Sequence, residues 1–221
     1  MSSQFTVTTD PLLPNIIVRD LLTIRADVTR IRADDGVTDR ALAAFAEAHA
    51  VILPSALDAA LLETILRVSR GGPFVPEQIG TIGSRTIEER DLAGRALRFA
   101  LERREFLQWL ESVAGCDRLH HITGFVAEMA VGTGQGLGWH DDRNEGGLGR
   151  RLAITVHLSD APYEGGWFEL REKATERILV RAGALPPGSV LIFRVDRHLT
   201  HRVTELTGGG PRRVFAGWVS V

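Results

Sequence analysis

His140 and Asp142 stand two residues apart in the stretch GLGWHDDRNEGG, residues 136–147. In an extended chain side chains alternate between faces, so these two share a face while Asp141 points away. Imidazole nitrogen with carboxylate oxygen is a mixed donor set for a first-row metal. One more histidine completes a two-histidine, one-carboxylate triad that leaves coordination positions open. His201, in the strand-like run LTHRVTEL, can supply it. His198 competes for the role, but His201 begins the better strand. A polar cap on a β-turn is the commoner explanation of an isolated His-x-Asp. His49, His120 and His121 have no partner at useful spacing and read as structural or surface residues.

A second chemical signal lies near the end of the chain. Arg212 and Arg213 enter an apolar run, RRVFAGWV. Burying a guanidinium there is costly without an anion, and its planar fork fits a carboxylate. An ordinary strand-entry arginine facing water must describe at least one of the two.

The elements that would position these groups fall into two parts. Residues 1–36 read as a strand-and-turn extension. Thr38 is a helix cap for DRALAAFAEAHA, AVILP is a short strand, and Ser55 caps a second helix running to about Arg70. GGPFVPEQIGTIGS reads as loop. RDLAGRALRFALERREFLQWLESVAG is helical, with a break near Leu101 and a stop at Gly115. After Arg118 short β-rich runs alternate with Gly- and Pro-containing turns, as in a sandwich or jelly roll. The expectation is one domain, 1–221, with a mainly helical part (1–118) and a β-rich part (119–221) that carries the metal site.

Composition bounds the function. The 221 residues carry a formal charge of −2, with 44% hydrophobic and 24% charged residues, ordinary values for a chain that buries a core. Near-neutral charge argues against nucleic-acid binding through a broad basic field. A single cysteine, Cys116, forbids an intrachain disulfide. With no signal-peptide pattern and no spanning apolar run, a cytoplasmic protein without a membrane partner is expected.

Taken in order, these stretches resemble the Fe(II)/2-oxoglutarate-dependent oxygenases, in the branch of prolyl-hydroxylase-like enzymes. GQGLGWHDD is similar to the turn and aromatic before that family's His-x-Asp. RRLAITVHLSD resembles the following strand, and GGWFELRE the Gly-Gly strand. LPPGSVLIFRVDRHLTHRVTEL resembles the Pro-x-x-Gly turn, apolar strand and distal His-x-Val. GGGPRRVFAGWV resembles the Gly-x-Arg strand that ends in Trp. The likeness covers residues 119 to 221.

The resemblance implies an α+β protein: a double-stranded β-helix (jelly-roll) core with N-terminal helices packed against it. It implies that His140, Asp142 and His201 hold Fe(II). The family's arginine lies six residues before the strand-end tryptophan, which selects Arg212 for the distal carboxylate of 2-oxoglutarate. His157 takes the tyrosine place of the family's Tyr-Leu-Asn stretch, which in some members also touches that carboxylate, so it is a candidate donor to the co-substrate. Many relatives also have a co-substrate tyrosine about nine residues before the first iron ligand. Val131 stands there instead, so that contact is either missing or made by another residue, such as Thr155 or Thr133, and Tyr163 is the chain's one tyrosine. The retained Asp142 separates the chain from the family's halogenases.

Implied, then, is a dioxygenase using Fe(II), 2-oxoglutarate and O2 to hydroxylate an unactivated C–H bond, releasing succinate and CO2. A compact chain without a binding module favours a small-molecule substrate, such as an amino acid or related metabolite. A peptide or protein side-chain hydroxylase and a non-oxygenase metal-binding cupin are the alternatives. A DNA-repair demethylase lacks its paired-arginine signature after His201. Arg143, Asn144, Glu145, Arg194 and Arg197 are candidates for substrate selection, and Trp139 for a wall beside the metal. The oligomeric state is not legible.

Overall fold

The computed structural model describes residues 15–32, 35–116, 118–143 and 149–221. A small hairpin, β1 (Leu22–Ile24) and β2 (Thr29–Ile31), comes first. Next come α1 (Asp35–Ala48), β3 (Ala50–Leu53), α2 (Ala59–Arg70), β4 (Phe74–Ile79) and β5 (Gly83–Glu88). Two helices follow, α3 (Leu92–Leu101) and α4 (Arg104–Ala114). The remainder is strand: β6 (His121–Met129), β7 (Gly136–His140), β8 (Arg150–His157), β9 (Tyr163–Gly165) and β10 (Phe168–Glu172). It continues with β11 (Ile178–Ala182), β12 (Val190–Arg194), β13 (Leu199–Val203), β14 (Leu206–Gly209) and β15 (Arg212–Ser220).

An 11-stranded sheet runs in the order β11-β10-β13-β7-β5-β6-β15-β8-β12-β3, with β4 added on β5. All of its pairings are antiparallel. The sheet curls into a nearly closed jelly-roll core, and β9 pairs with β14 as a separate ribbon. This is the expected jelly roll with helices packed on it.

Strand alternation explains how one sheet serves two interiors. Along β15, Phe215 and Val219 turn outward and join Val126, Ile154 and Val156 in a buried cluster with Leu97, Phe106 and Leu110 of the helices. Val214, Ala216 and Trp218 turn inward and line a cavity. Both faces are covered, so β15 reads as a near-continuous apolar run. Phe106 is fully buried, and truncating such a core phenylalanine costs about 3–5 kcal/mol.

Local signals fix the helix ends. Asp58, rather than Ser55, caps α2, its side chain accepting from the Leu61 amide at 2.8 Å. Ser55 instead takes a φ of 54° in the turn before it. Thr38 lies inside α1, which begins at Asp35. The break between α3 and α4 falls just after Leu101, and Gly115 ends α4 with a φ of 57°. Buried Glu88 accepts the Ala93 and Gly94 amides, tying β5 to the first turn of α3.

The segment read as loop is the hairpin β4–β5. Pro76 and the glycines around it masked the alternation. A proline is tolerated because β4 is an edge strand, paired with β5 alone. Gly83 is required where β5 meets β7: its φ is 154°, and a Cβ would lie 1.9 Å from the Gly136 carbonyl oxygen.

Candidate active site

His140 ends β7 and His201 sits in β13, directly opposite each other in register. Asp142 follows two residues beyond β7. Asp142 Oδ1 lies 3.7 Å from His140 Nε2, and its Oδ2 lies 3.5 Å from His201 Nε2. Ligand atoms of the three residues all fall within 4.8 Å of one another. Among the described residues this is the one such cluster of His, Cys, Asp or Glu. His198, the competing histidine, lies on the exposed turn before β13, where Arg197 Nε donates to its Nε2 at 2.9 Å.

The protonation states suit a cation. His140 Nδ1 is 2.7 Å from the Gly138 carbonyl oxygen, which can only accept, so Nδ1 donates there and Nε2 is the atom turned towards Asp142. Phe168 and Phe193 flank the His201 ring, at 5.9 and 4.8 Å between centroids. Burial pushes its pKa down to about 4 against the opposing pull of Asp142, so its imidazole is neutral at pH 7. Two imidazole nitrogens and a carboxylate make a coherent donor set for a divalent ion.

The cluster opens on a cavity whose far end holds Arg212. Arg212 is 5% exposed, its Nε has no hydrogen-bond partner, and among the described residues no carboxylate pairs with it. Arg213 takes the opposite lot: its guanidinium bonds Glu128 at 2.6 Å and approaches Asp160 at 3.8 Å. Thr155 lines the same cavity.

His157, one strand-step further along β8, is buried behind the cavity wall. Burial, and then the Arg212 charge, lower its pKa to about 3, so it stays neutral. Its Nδ1 also lacks a partner.

Tyr163 arrives where sequence reasoning did not place it. It enters from β9, is buried, and its hydroxyl faces Arg212. Burial raises its pKa, and the charge and hydrogen-bonding of Arg212 work the other way. Gly166 makes the approach possible: a Cβ there would lie 3.1 Å from both Arg212 Cδ and Tyr163 Cε2. No local pattern marks Tyr163, because its position depends on the β9–β14 pairing. Val131 is exposed, and the Thr133 hydroxyl donates to the Ala130 carbonyl in a surface turn, so neither reaches the cavity.

Other expectations are corrected. Trp139 is no wall of the cavity; its ring is sandwiched between the Arg171 and Arg202 guanidiniums, at 4.0 and 4.7 Å. Period-two alternation explains this, since Trp139 precedes inward-facing His140. Arg143 is exposed and paired with Asp141. Arg194 bonds the Ala114 carbonyl at 2.6 Å, away from the main cavity. Asn144 and Glu145 lie outside the described residues. Arg85, just past the segment read as loop, does line the cavity.

Residues 124–220 match the family described as the 2OG-Fe(II) oxygenase superfamily. Among solved structures, the chain is similar to a 2OG-Fe(II) oxygenase family oxidoreductase from Burkholderia pseudomallei. The TM-score is 0.63 at 16% identity, covering 86% of this chain and 93% of that one. A Pseudomonas putida prolyl-4-hydroxylase gives 0.62 at 16% identity, covering 83% and 98%. The non-heme alpha ketoglutarate dependent epimerase SnoN, from nogalamycin biosynthesis, gives 0.62 at 17%, covering 85% and 82%. No curated protein matches by sequence. Residues 124–220 are thus similar to the 2OG-Fe(II) oxygenase superfamily, and the chain as a whole shares the fold of these solved oxygenases.

Proposed function

We propose that this protein is an Fe(II)/2-oxoglutarate-dependent dioxygenase that hydroxylates a C–H bond of a small molecule. One observation carries this: His140, Asp142 and His201 share a cavity with a buried arginine that has no carboxylate of its own. His140, Asp142 and His201 would hold Fe(II), and Arg212 would hold the distal carboxylate of 2-oxoglutarate. When bound, iron, co-substrate and O2 supply the oxidising power for C–H hydroxylation, with succinate and CO2 released.

The chain's own residues do the positioning. An isolated buried guanidinium is costly, so an entering carboxylate relieves a penalty already present in the empty protein. The Tyr163 hydroxyl, beside Arg212, can donate to the same carboxylate, in the role of the tyrosine missing at position 131. Thr155 is a further donor from β8. His157 is neutral and adds no competing charge. Ala127, Met129, Val203 and Val214 form apolar walls that exclude water between the two ends. Neutral His201 presents its lone pair without first losing a proton, and the Gly138 carbonyl orients the His140 ring with Nε2 towards the cluster.

Succinate formation tests this. With Fe(II), 2-oxoglutarate and O2, screening amino acids and related metabolites should find a substrate that raises succinate release and gains one oxygen. His140→Ala should abolish both. Iron binding with no succinate under any condition would favour a metal-binding cupin. Turnover of peptides alone would move the substrate to a protein side chain.

A further inference from the structure

Arg85 and Trp218 line the cavity, and Phe125 and Arg150 pack against them; the function proposed above gives none of the four a role. Arg85 of β5 is 9% exposed, and its guanidinium carbon lies 4.4 Å from the centre of the Phe125 ring. Phe125 packs against Trp218, with centroids 5.9 Å apart. Arg150 of β8 stands 4.0 Å over the other ring of the row, Trp218, and its Nη1 donates to the Asp142 carbonyl at 3.1 Å. Cation, ring, ring and cation thus run from β5 to the residue that closes the metal cluster.

Donors exceed acceptors in this row. Among the described residues Glu77 is the one carboxylate that meets it, accepting from Arg85 Nε at 2.6 Å. Arg150 has no carboxylate partner among the described residues; its hydrogen bond to Asp142 goes to a carbonyl. Trp218 Nε1 and Thr123 Oγ1, on residues paired across β15 and β6, are buried without hydrogen-bond partners. Two guanidiniums, an indole N–H and a hydroxyl around two aromatic faces call for an acceptor-rich anion attached to an apolar body.

We infer that Arg85, Arg150, Phe125 and Trp218 select a small substrate bearing a carboxylate beside a flat or apolar group. This rests on the cavity being the oxygenase site proposed above. It replaces Arg143, Arg194 and Arg197, which lie elsewhere, with Arg85 in the cavity wall and Arg150 stacked on Trp218 of that wall.

The test uses the full chain loaded with Mn(II) and N-oxalylglycine, so that the Arg212 end is filled and no turnover occurs. Equilibrium dialysis then compares phenylacetate with phenylacetamide, indole-3-acetate with indole-3-acetamide, and hexanoate with hexanamide. At least one acid should bind tenfold or more tightly than its amide. That ratio should fall to within twofold in Arg85→Gln and in Arg150→Gln, and Arg150→Lys should keep part of it. N-oxalylglycine affinity should stay within twofold in all three variants. Ratios near one in every pair, or a ratio that neither glutamine variant moves, overturn the inference. Should N-oxalylglycine fail to bind while the acid preference still follows Arg85 and Arg150, the oxygenase reading falls and the row stands. Tight N-oxalylglycine binding with no acid preference sinks the row alone. If Arg85→Gln does not fold, Arg150→Gln decides the matter.

Discussion

Arg212→Met should make the empty protein more stable and the co-substrate invisible to it. In the wild type a guanidinium is 5% exposed, its Nε is unpartnered, and no described carboxylate faces it. Exchanging even a buried ion pair for apolar groups of similar volume is often neutral or stabilises by about 1–4 kcal/mol, and a charge without a carboxylate has less attraction to lose. In a chain of this length each kcal/mol moves Tm by roughly 2–4 °C, so the metal- and ligand-free variant should melt at least about 3 °C higher. Ligand linkage acts the other way. At 1,000 times its Kd, 2-oxoglutarate adds about 4.1 kcal/mol to the Mn(II)-loaded wild type and nothing to the variant. The two proteins should therefore exchange order in differential scanning calorimetry: variant above wild type when empty, wild type above variant with Mn(II) and saturating 2-oxoglutarate. A variant that melts lower when empty, and still gains several degrees from 2-oxoglutarate, would refute both the unpaired charge and its role.

Three further outcomes follow from the geometry. Asp142→Gly should lose hydroxylation and weaken Mn(II) binding at least about 100-fold by isothermal calorimetry, since it removes the carboxylate between the two imidazoles; unchanged turnover would remove Asp142 from the ligand set. His157 favours its neutral form in the folded state, with its pKa lowered from 6.5 to about 3, so the unfolded chain takes up the proton first as pH falls. Its contribution is complete above about pH 6.5 and declines towards pH 3. Between pH 7 and 5 it should account for roughly 2 kcal/mol of lost stability, and His157→Phe should lose that slope in urea titrations. Gly83→Ala should destabilise by about 2–3 kcal/mol in the same assay, because its Cβ would lie 1.9 Å from the Gly136 oxygen on the strand carrying His140.

Much of the site was legible because it is written in strand alternation. His140 and Asp142 share a face for the reason that Val214 and Ala216 do, and Arg212 differs from Arg213 by one step of the same period. The halves of the helical region, the stop at Gly115 and the jelly-roll class were legible for similarly local reasons. What was hidden depends on pairings distant in sequence. Arg85 lies in a hairpin whose Pro76 and glycines look like loop until the edge position of β4 is known. Tyr163 reaches Arg212 only because β9 pairs with β14 and Gly166 leaves room. Trp139 was misplaced although the alternation that placed His140 inward already sent its neighbour outward.

The most direct measurement is an anaerobic titration of the metal-free protein with Fe(II) and then 2-oxoglutarate, following the visible metal-to-ligand charge-transfer absorption. The band should appear on adding 2-oxoglutarate, vanish in His140→Ala and weaken strongly in Arg212→Met. Iron binding without a band would contradict the co-substrate half of the site, and the absence of iron binding would contradict the metal centre itself.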